Sequence, residues 1–245
     1  PLYQQIRHLH VFLDNVKVVP GQKEIDSQDK VDALRVEARF LIAYFHTLLF
    51  EQFGPIPIIR KAVDVNTPTE ELKVERNSVD EVVEWLDTEL LSIANALPKT
   101  ITNDFYGAKP TQAAALAIRA RLLLYSARKL FNGNDLYNGI INKNGDHLFP
   151  TQYDEKKWEK AAEAAKDVMN LNLYSLVGAD GADPYGSFNK LFTSVGSETN
   201  AVEKIYTRIA SGYAWRVVTT PPSVGGTAYG GYGVTQKQVD AFAMA

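Results

Sequence analysis

Apolar residues recur at helical spacing in five stretches of the chain, and these set the expected architecture. The first runs from Tyr3 to Asn15, with Ile6, Leu9, Phe12 and Leu13 along one stripe. Pro20-Gly21 turns the chain, and Ser27 or Asp29 caps a second helix that continues to about Phe53. Its apolar set (Leu34, Phe40, Leu41, Tyr44, Phe45, Leu48 and Leu49) covers more than one stripe, which predicts burial on most sides. Gly54, Pro55 and Pro57 then stop the helix hard, while Ile56, Ile58 and Ile59 keep its exit hydrophobic. A left-handed glycine followed by extended, proline-held chain accounts for that pattern.

Asn77 or Ser78 caps the third helix, which ends at Pro98, and Glu81 and Glu84 suit the positive end of its dipole. The fourth opens at Lys109-Pro110-Thr111, with proline expected at the first helical position, and stops at Asn132-Gly133. The fifth spans roughly Glu155 to Leu171, with Trp158, Ala161, Ala165 and Val168 on one face. Ala113, Ala114, Ala117 and Ala120 are placed to meet Ala161, Ala162 and Ala165 in an antiparallel hairpin. Small side chains let helix axes approach, as in helix-pair repeats of the tetratricopeptide type. The connection over 132–153 is far longer than the turn of such a repeat.

Beyond Leu171 the periodicity fades. Residues 172–235 are rich in Gly, Tyr, Ser and Thr, with one strand-like run at Val202–Ile209. Irregular chain of this length inside a compact protein often carries function. The expected fold class is mainly α: tetratricopeptide-like helix pairs over 1–171, then a loop-rich, irregular ligand-binding portion over 172–245.

Composition narrows the function. The chain has 26 basic and 29 acidic residues for a net charge of −3, without the concentrated basic face that nucleic acid requires. There is no cysteine, which excludes thiol catalysis, disulfides and cysteine-bound metal within these residues. No uninterrupted apolar run approaches the roughly 20 residues of a membrane span. Pro1-Leu2-Tyr3 offers neither an initiator methionine nor a signal pattern, and QKQVDAFAMA stops inside an amphipathic segment. The sequence therefore reads as an internal piece of a longer protein.

Candidate chemistry is sparse. His8 and His10 lie two apart on a helix and point in different directions, and His46 in its apolar helix reads as a hydrogen-bonded core residue. GGTAYGGYG at 225–233 lacks the Gly-Lys-Ser/Thr of a phosphate loop, and no G-x-S-x-G elbow or H-E-x-x-H pair occurs. No cofactor is implied. What remains is aromatic: Tyr213, Trp215, Tyr229 and Tyr232, with Arg216, stand in glycine-rich chain. Such rings either pin a loop to the body or present flat faces to the C–H faces of sugars.

EARFLIAYFHTLLFEQFGPIPII resembles the signature of the SusD/RagB family. Glu37, Ala38, Arg39, Phe40, Leu41, Ala43, Tyr44 and Phe45 match its helix, and Phe53, Gly54, Ile56, Pro57 and Ile58 match its exit. Ile42 stands where the family usually has arginine. IRHLHVFLDN, RNSVDEVVEWLDTELLSIANALP, GAKPTQAAALAIRARLLLYSA, WEKAAEAAKDVMNLNLYSL, SETNAVEKIYTRI and VTQKQVDAFAM are similar to further family blocks, in the family's order.

The resemblance implies a non-enzymatic lipoprotein exposed at the bacterial outer membrane, held by an N-terminal lipid anchor that lies outside these residues. It implies oligosaccharide binding and delivery to a SusC-like, TonB-dependent transporter. Binding residues in the family follow no fixed motif, so Tyr213, Trp215, Arg216, Tyr229 and Tyr232 are candidates on composition. Three other readings stay open: uptake of peptides in the manner of RagB, a helical-repeat adaptor for proteins, and an α-helical glycosidase.

Overall fold

The computed structural model of the chain describes residues 2–64, 66–100, 109–193, 203–206, 229–231, 233 and 235–241. Its helices are α1 (Leu2–Asn15), α2 (Gln28–Phe53), α3 (Val79–Ala96), α4 (Gln112–Ala127), α5 (Lys156–Met169), α6 (Pro184–Thr193) and α7 (Gln236–Asp240). No strand occurs among the described residues, so the expected mainly-α class is borne out. None of these helices is long and apolar enough to cross a membrane. The chain divides into two compact units, Pro1–Thr207 and Arg208–Ala245, and α1 to α6 belong to the first.

Helix α2 is the axle of the first unit. From Leu34 to Glu51 no residue is exposed, as its all-round apolar pattern predicts. Helices α1, α3 and α4 all pack on it. Arg35 Nη2 donates to Val16 O on α1's exit, and Arg39 Nε reaches Glu89 Oε1 of α3 at 2.8 Å. His46 meets the Trp85 ring edge-on at 4.9 Å. These pairings make α1 and α3 antiparallel to α2. Lys109 bonds Glu37 and Arg121 bonds Glu51, so α4 runs parallel to α2 and antiparallel to α3.

Helix α5 lies antiparallel on α4, tied by one charge network. Asp87 of α3 accepts from Arg119 Nε of α4 at 2.6 Å and pairs with Lys160 Nζ of α5 at 2.5 Å. Arg119 Nη1 also donates to Asp167 Oδ2 of α5 at 2.9 Å. Such a buried carboxylate is tolerable because cations surround it, and the arrangement fixes one register for three helices.

Several expectations needed adjustment. Pro110 precedes the cap, which is Thr111: its side chain accepts from Ala114 N at 3.3 Å. Helix α4 ends at Ala127, because Arg128 turns extended (ψ 150°) and lays its guanidinium 3.7 Å from the Tyr125 ring. On α5 the buried residues are Ala161 and Ala164, packed on Leu123 and Ala120, while Trp158, Ala162 and Ala165 are exposed. The long connection over 132–153 is not loose. Asn132, fully buried, donates to Ala127 O and Asp154 O, and Leu148 and Phe149 return to the core.

The corner after α2 is tightly held. Gly54 has φ +69°, and its N–H bonds Phe50 O at 2.8 Å. A Cβ there would lie 3.1 Å from Phe131 Cε1 and 3.4 Å from Phe149 Cζ, so both conformation and space favour glycine. Two histidines then clasp one residue. His46 Nδ1–H donates to Ile42 O at 2.8 Å, leaving Nε2 to accept from Ile59 N–H at 3.2 Å. His10 Nε2–H donates to Ile59 O at 3.0 Å. Both ring nitrogens of His46 are thus committed in the neutral form.

Burial pushes the His46 pKa down to about 4, the bond to Ile42 opposing this and the charges of His10 and Arg60 adding to it. An unfolded histidine takes a proton near 6.5. The stability this ring contributes is therefore complete above pH 6.5 and is lost as pH falls through 6.5 towards 4. Between pH 7 and 4.5 that loss amounts to roughly 2–3 kcal/mol. Denaturant unfolding of the parent and of His46→Leu at both pH values should show a smaller acid loss in the variant; equal losses would mean a normally titrating ring. Gly54→Ala is expected to lower stability by roughly 1–3 kcal/mol, seen as a reduced denaturation midpoint.

Candidate ligand-binding site

The extended exit from α2 leads to a polar cleft. Asn77 holds both ends of the turn: its N–H bonds Ile56 O at 3.0 Å and its Oδ1 accepts from Ile58 N at 3.1 Å. Ser78 then caps α3 in a capping box, accepting from Glu81 N while Glu81 Oε2 accepts from Ser78 N at 2.7 Å. Opposite lies the turn Asn142–Asp146, closed by Asn142 N–H to Asp146 O at 2.9 Å and bridged at Ile141 and His147.

Between them is a cleft of roughly 330 Å³, lined by residues that include Arg76, Ser78, Glu81, Asn144 and His147. Several of its polar groups are already engaged. Asn142 Nδ2 donates to Arg76 O at 2.9 Å, and Asn144 Nδ2 donates to Asp146 Oδ2 at 2.6 Å. The Ser78 backbone N–H, then its hydroxyl, holds the Glu81 carboxyl below the usual range. No aromatic side chain other than His147 lines this cleft, so it offers no phenol, phenyl or indole face to a sugar. It reads as the junction that fixes α3 to the 140–148 turn.

A second hollow forms after α5, where the sequence led us to expect irregular chain. Asp183 starts α6 by accepting from Gly186 N–H at its Oδ1 (2.8 Å) and from Ser187 N–H at its carbonyl (3.0 Å). The preceding loop folds over the helix. Gly178, at φ +70°, lies so close that a Cβ there would collide with Ser187 Oγ. Glu203 Oε2 accepts from Val177 N–H at 3.0 Å and pins the loop from the other side. The hollow has roughly 370 Å³ and is lined by residues that include Leu176, Val177, Ser187, Phe188, Leu191 and Glu203. Tyr185 and Phe188 stand one turn apart on α6 and are 82% and 67% exposed.

Of the site residues expected from sequence, Tyr213, Trp215, Arg216 and Tyr232 lie outside the described residues. Tyr229 is described and is 71% exposed, in the second compact unit. Sequence reasoning passed over Tyr185 and Phe188. Their signal was an aromatic pair at i, i+3 directly after Asp-Pro, masked by the glycine and serine inside PYGSFNKLFT. The expected strand-like run at 202–209 is described only at 203–206, where no strand occurs. Among the described residues no group of three or more His, Asp or Glu side chains is arranged to hold a metal ion.

The sequence pattern of one family, described as starch-binding and associating with the outer membrane, matches residues 1–124, just over half of the chain. The chain belongs to the SusD-like family. Solved structures share the chain's fold. That of BT4246 is 31% identical, aligns over 76% of this chain, and superposes with a TM-score of 0.66. A SusD-like protein from Bacteroides fragilis NCTC 9343, BF3747, is 20% identical over 99% of this chain, with a TM-score of 0.65, a likeness of fold. This SusD-like chain spans 32% of the length of BT4246 and 40% of that of BF3747. No curated protein matches it.

The capping box at the polar cleft gives a test of its structural role. Ser78→Ala should cost about 1 kcal/mol of stability. It should also let the Glu81 carboxyl rise toward its ordinary pKa, as followed by NMR titration. An unchanged Glu81 titration would assign the depression to the Ser78 backbone N–H, which the substitution retains.

Proposed function

We propose that the chain is part of a protein that captures oligosaccharides at the bacterial cell surface and passes them to a SusC-like, TonB-dependent transporter in the outer membrane. The observation that carries this reading is the family match over 1–124, whose description joins starch binding to the outer membrane. Membership of a binding family favours recognition without catalysis. Surface display would come from an N-terminal lipid anchor outside these residues.

In this reading residues 1–171 are the scaffold and 172–245 the ligand face. A body of packed helices suits the first role, because it holds irregular chain in place without moving with it. Tyr213, Trp215, Tyr229 and Tyr232 supply flat rings, and Arg216 supplies hydrogen-bond donors for hydroxyl groups. Stacking contributes only about 1 kcal/mol per aromatic contact, so moderate affinity built from several rings is the expected regime. Moderate affinity also suits handover, since a ligand held too tightly would not leave for the transporter.

Affinity electrophoresis through gels containing soluble starch, other polysaccharides or none tests the reading. The parent should be retarded by at least one polysaccharide, and Trp215→Ala should lose several-fold in affinity for it. Full retention of affinity by Trp215→Ala would remove that residue from the site. Binding to oligopeptides in place of every glycan would favour the peptide-uptake alternative.

A further inference from the structure

We infer that Asn138 is a site of self-modification, where the backbone nitrogen of Gly139 converts the side-chain amide to a carboxylate. The inference concerns the helical body and is independent of the proposed function.

Asparagine followed by glycine is the pairing most prone to this reaction, because glycine sets no Cβ beside the attacking nitrogen. The chain has three such pairs, Asn132-Gly133, Asn138-Gly139 and Asn144-Gly145, all in the connection between α4 and α5. The glycine nitrogen attacks the asparagine Cγ and gives up its proton. The bond from Cγ to Nδ2 breaks, and that nitrogen takes the proton and leaves as ammonia. Water then opens the five-membered imide at either carbonyl, giving aspartate or its backbone-shifted isomer. Attack therefore needs a free glycine N–H and an amide able to turn toward it.

The fold treats the three pairs differently. Asn132 is fully buried with its amide locked: Nδ2 donates to Ala127 O and Asp154 O, and Oδ1 accepts from Asp154 N at 2.8 Å. Asn144 is exposed, but its Nδ2 donates to Asp146 Oδ2 at 2.6 Å and its Oδ1 accepts from Asp146 N. The attacking group there is engaged as well, since Gly145 N–H donates to Asn142 O at 3.0 Å. Asn138 follows the short 3₁₀ turn Asp135–Tyr137 and is held least. Its Nδ2 makes only a long bond of 3.4 Å to Asp135 Oδ1, and its Oδ1 is buried without a partner. Gly139 N–H has no acceptor among the described residues, and Gly139 is exposed, with open space where a Cβ would stand. Only this pair combines a free nucleophile with a weakly tethered amide.

Conversion replaces a donor to Asp135 by a second carboxylate and sets two like charges against each other. The turn carries Tyr137, whose ring lies 4.6 Å from that of Phe149, and Phe149 backs the Gly54 corner. One exposed turn thereby acts on the core of the body.

The experiment holds the 245-residue chain in mildly alkaline buffer made with heavy-oxygen water and follows the three sites by tandem mass spectrometry. We expect label to enter first at Asn138, at least about tenfold faster than at Asn132 and several-fold faster than at Asn144. In denaturant the three rates should converge, because only the fold separates them. Gly139→Ala meets neither a clash nor a positive φ, so it should fold normally, silence Asn138 and leave the Asn144 rate unchanged. Asn138→Asp, which mimics one product, should unfold at a lower denaturant midpoint than the parent. Faster labelling at Asn132 or Asn144, or no labelling at Asn138, overturns the inference. So does a ranking that persists in denaturant, or undiminished labelling in Gly139→Ala. An Asn138→Asp midpoint equal to the parent's overturns the assigned effect on the core.

Discussion

A helix that is apolar around most of its circumference can exist in water only if other chain covers it, and that constraint organises this structure. Helix α2 has no exposed residue between Leu34 and Glu51, and Phe40, His46 and Phe50 are fully buried. Helices α1 and α3 cover it antiparallel and α4 covers it parallel, which fixes the up-and-down order of the body. Each fully buried large apolar side chain contributes on the order of 1.5–3 kcal/mol, so the cover is also where much of the stability lies. The same constraint explains the hard stop at Gly54. After exposed Gln52 and Phe53 the chain turns inward and buries Gly54, Pro55 and Ile56, and buried backbone needs partners for its N–H and C=O groups. His46 and His10 meet that need at Ile59, and Asn77 meets it at Ile56 and Ile58.

The body is also tied to the segment that follows it. Tyr206 packs edge-on against Phe40 at 5.4 Å and Tyr44 at 6.1 Å, so chain beyond α6 comes back to α2 itself. Its partial burial, with the neighbouring Tyr44 and Glu37, raises the phenol's pKa. Further round the body, the shared carboxylate of Asp87 sets α5 against α3 and α4, and α5 delivers the chain to the loop over α6. The part of the proposed ligand face that lies within the first unit would take its position from packing on the helices rather than from the loops' own preferences.

Much of this was readable from the sequence, for reasons that differ element by element. The covered helix, its corner and the α3 cap are strong signals, because periodicity, Gly-Pro punctuation and an S-x-x-E box each depend on local chemistry. Which face of α5 turns inward was not, since alanines lie on several of its sides and tertiary contact with Leu123, Val83 and Ala120 selects Ala161 and Ala164. The end of α4 was misplaced by several residues because no breaker marks it: Arg128 turns extended before Asn132-Gly133 is reached. Helix α6 was missed because glycine and serine lower its propensity, and Asp183 compensates only through cap bonds that a propensity argument does not weigh. Of the candidate aromatics, only Tyr229 falls among the described residues, so their grouping rests on composition alone.

The central claim is a division of labour between a rigid helical body and a ligand face beyond residue 171. Hydrogen–deuterium exchange of the chain with and without a retarding polysaccharide tests it directly, because protection is read along the whole sequence. The account predicts ligand-dependent protection within 172–245 and unchanged exchange in α1 to α5. Protection centred on the polar cleft between Ser78 and Asn144, with none beyond residue 171, would contradict it.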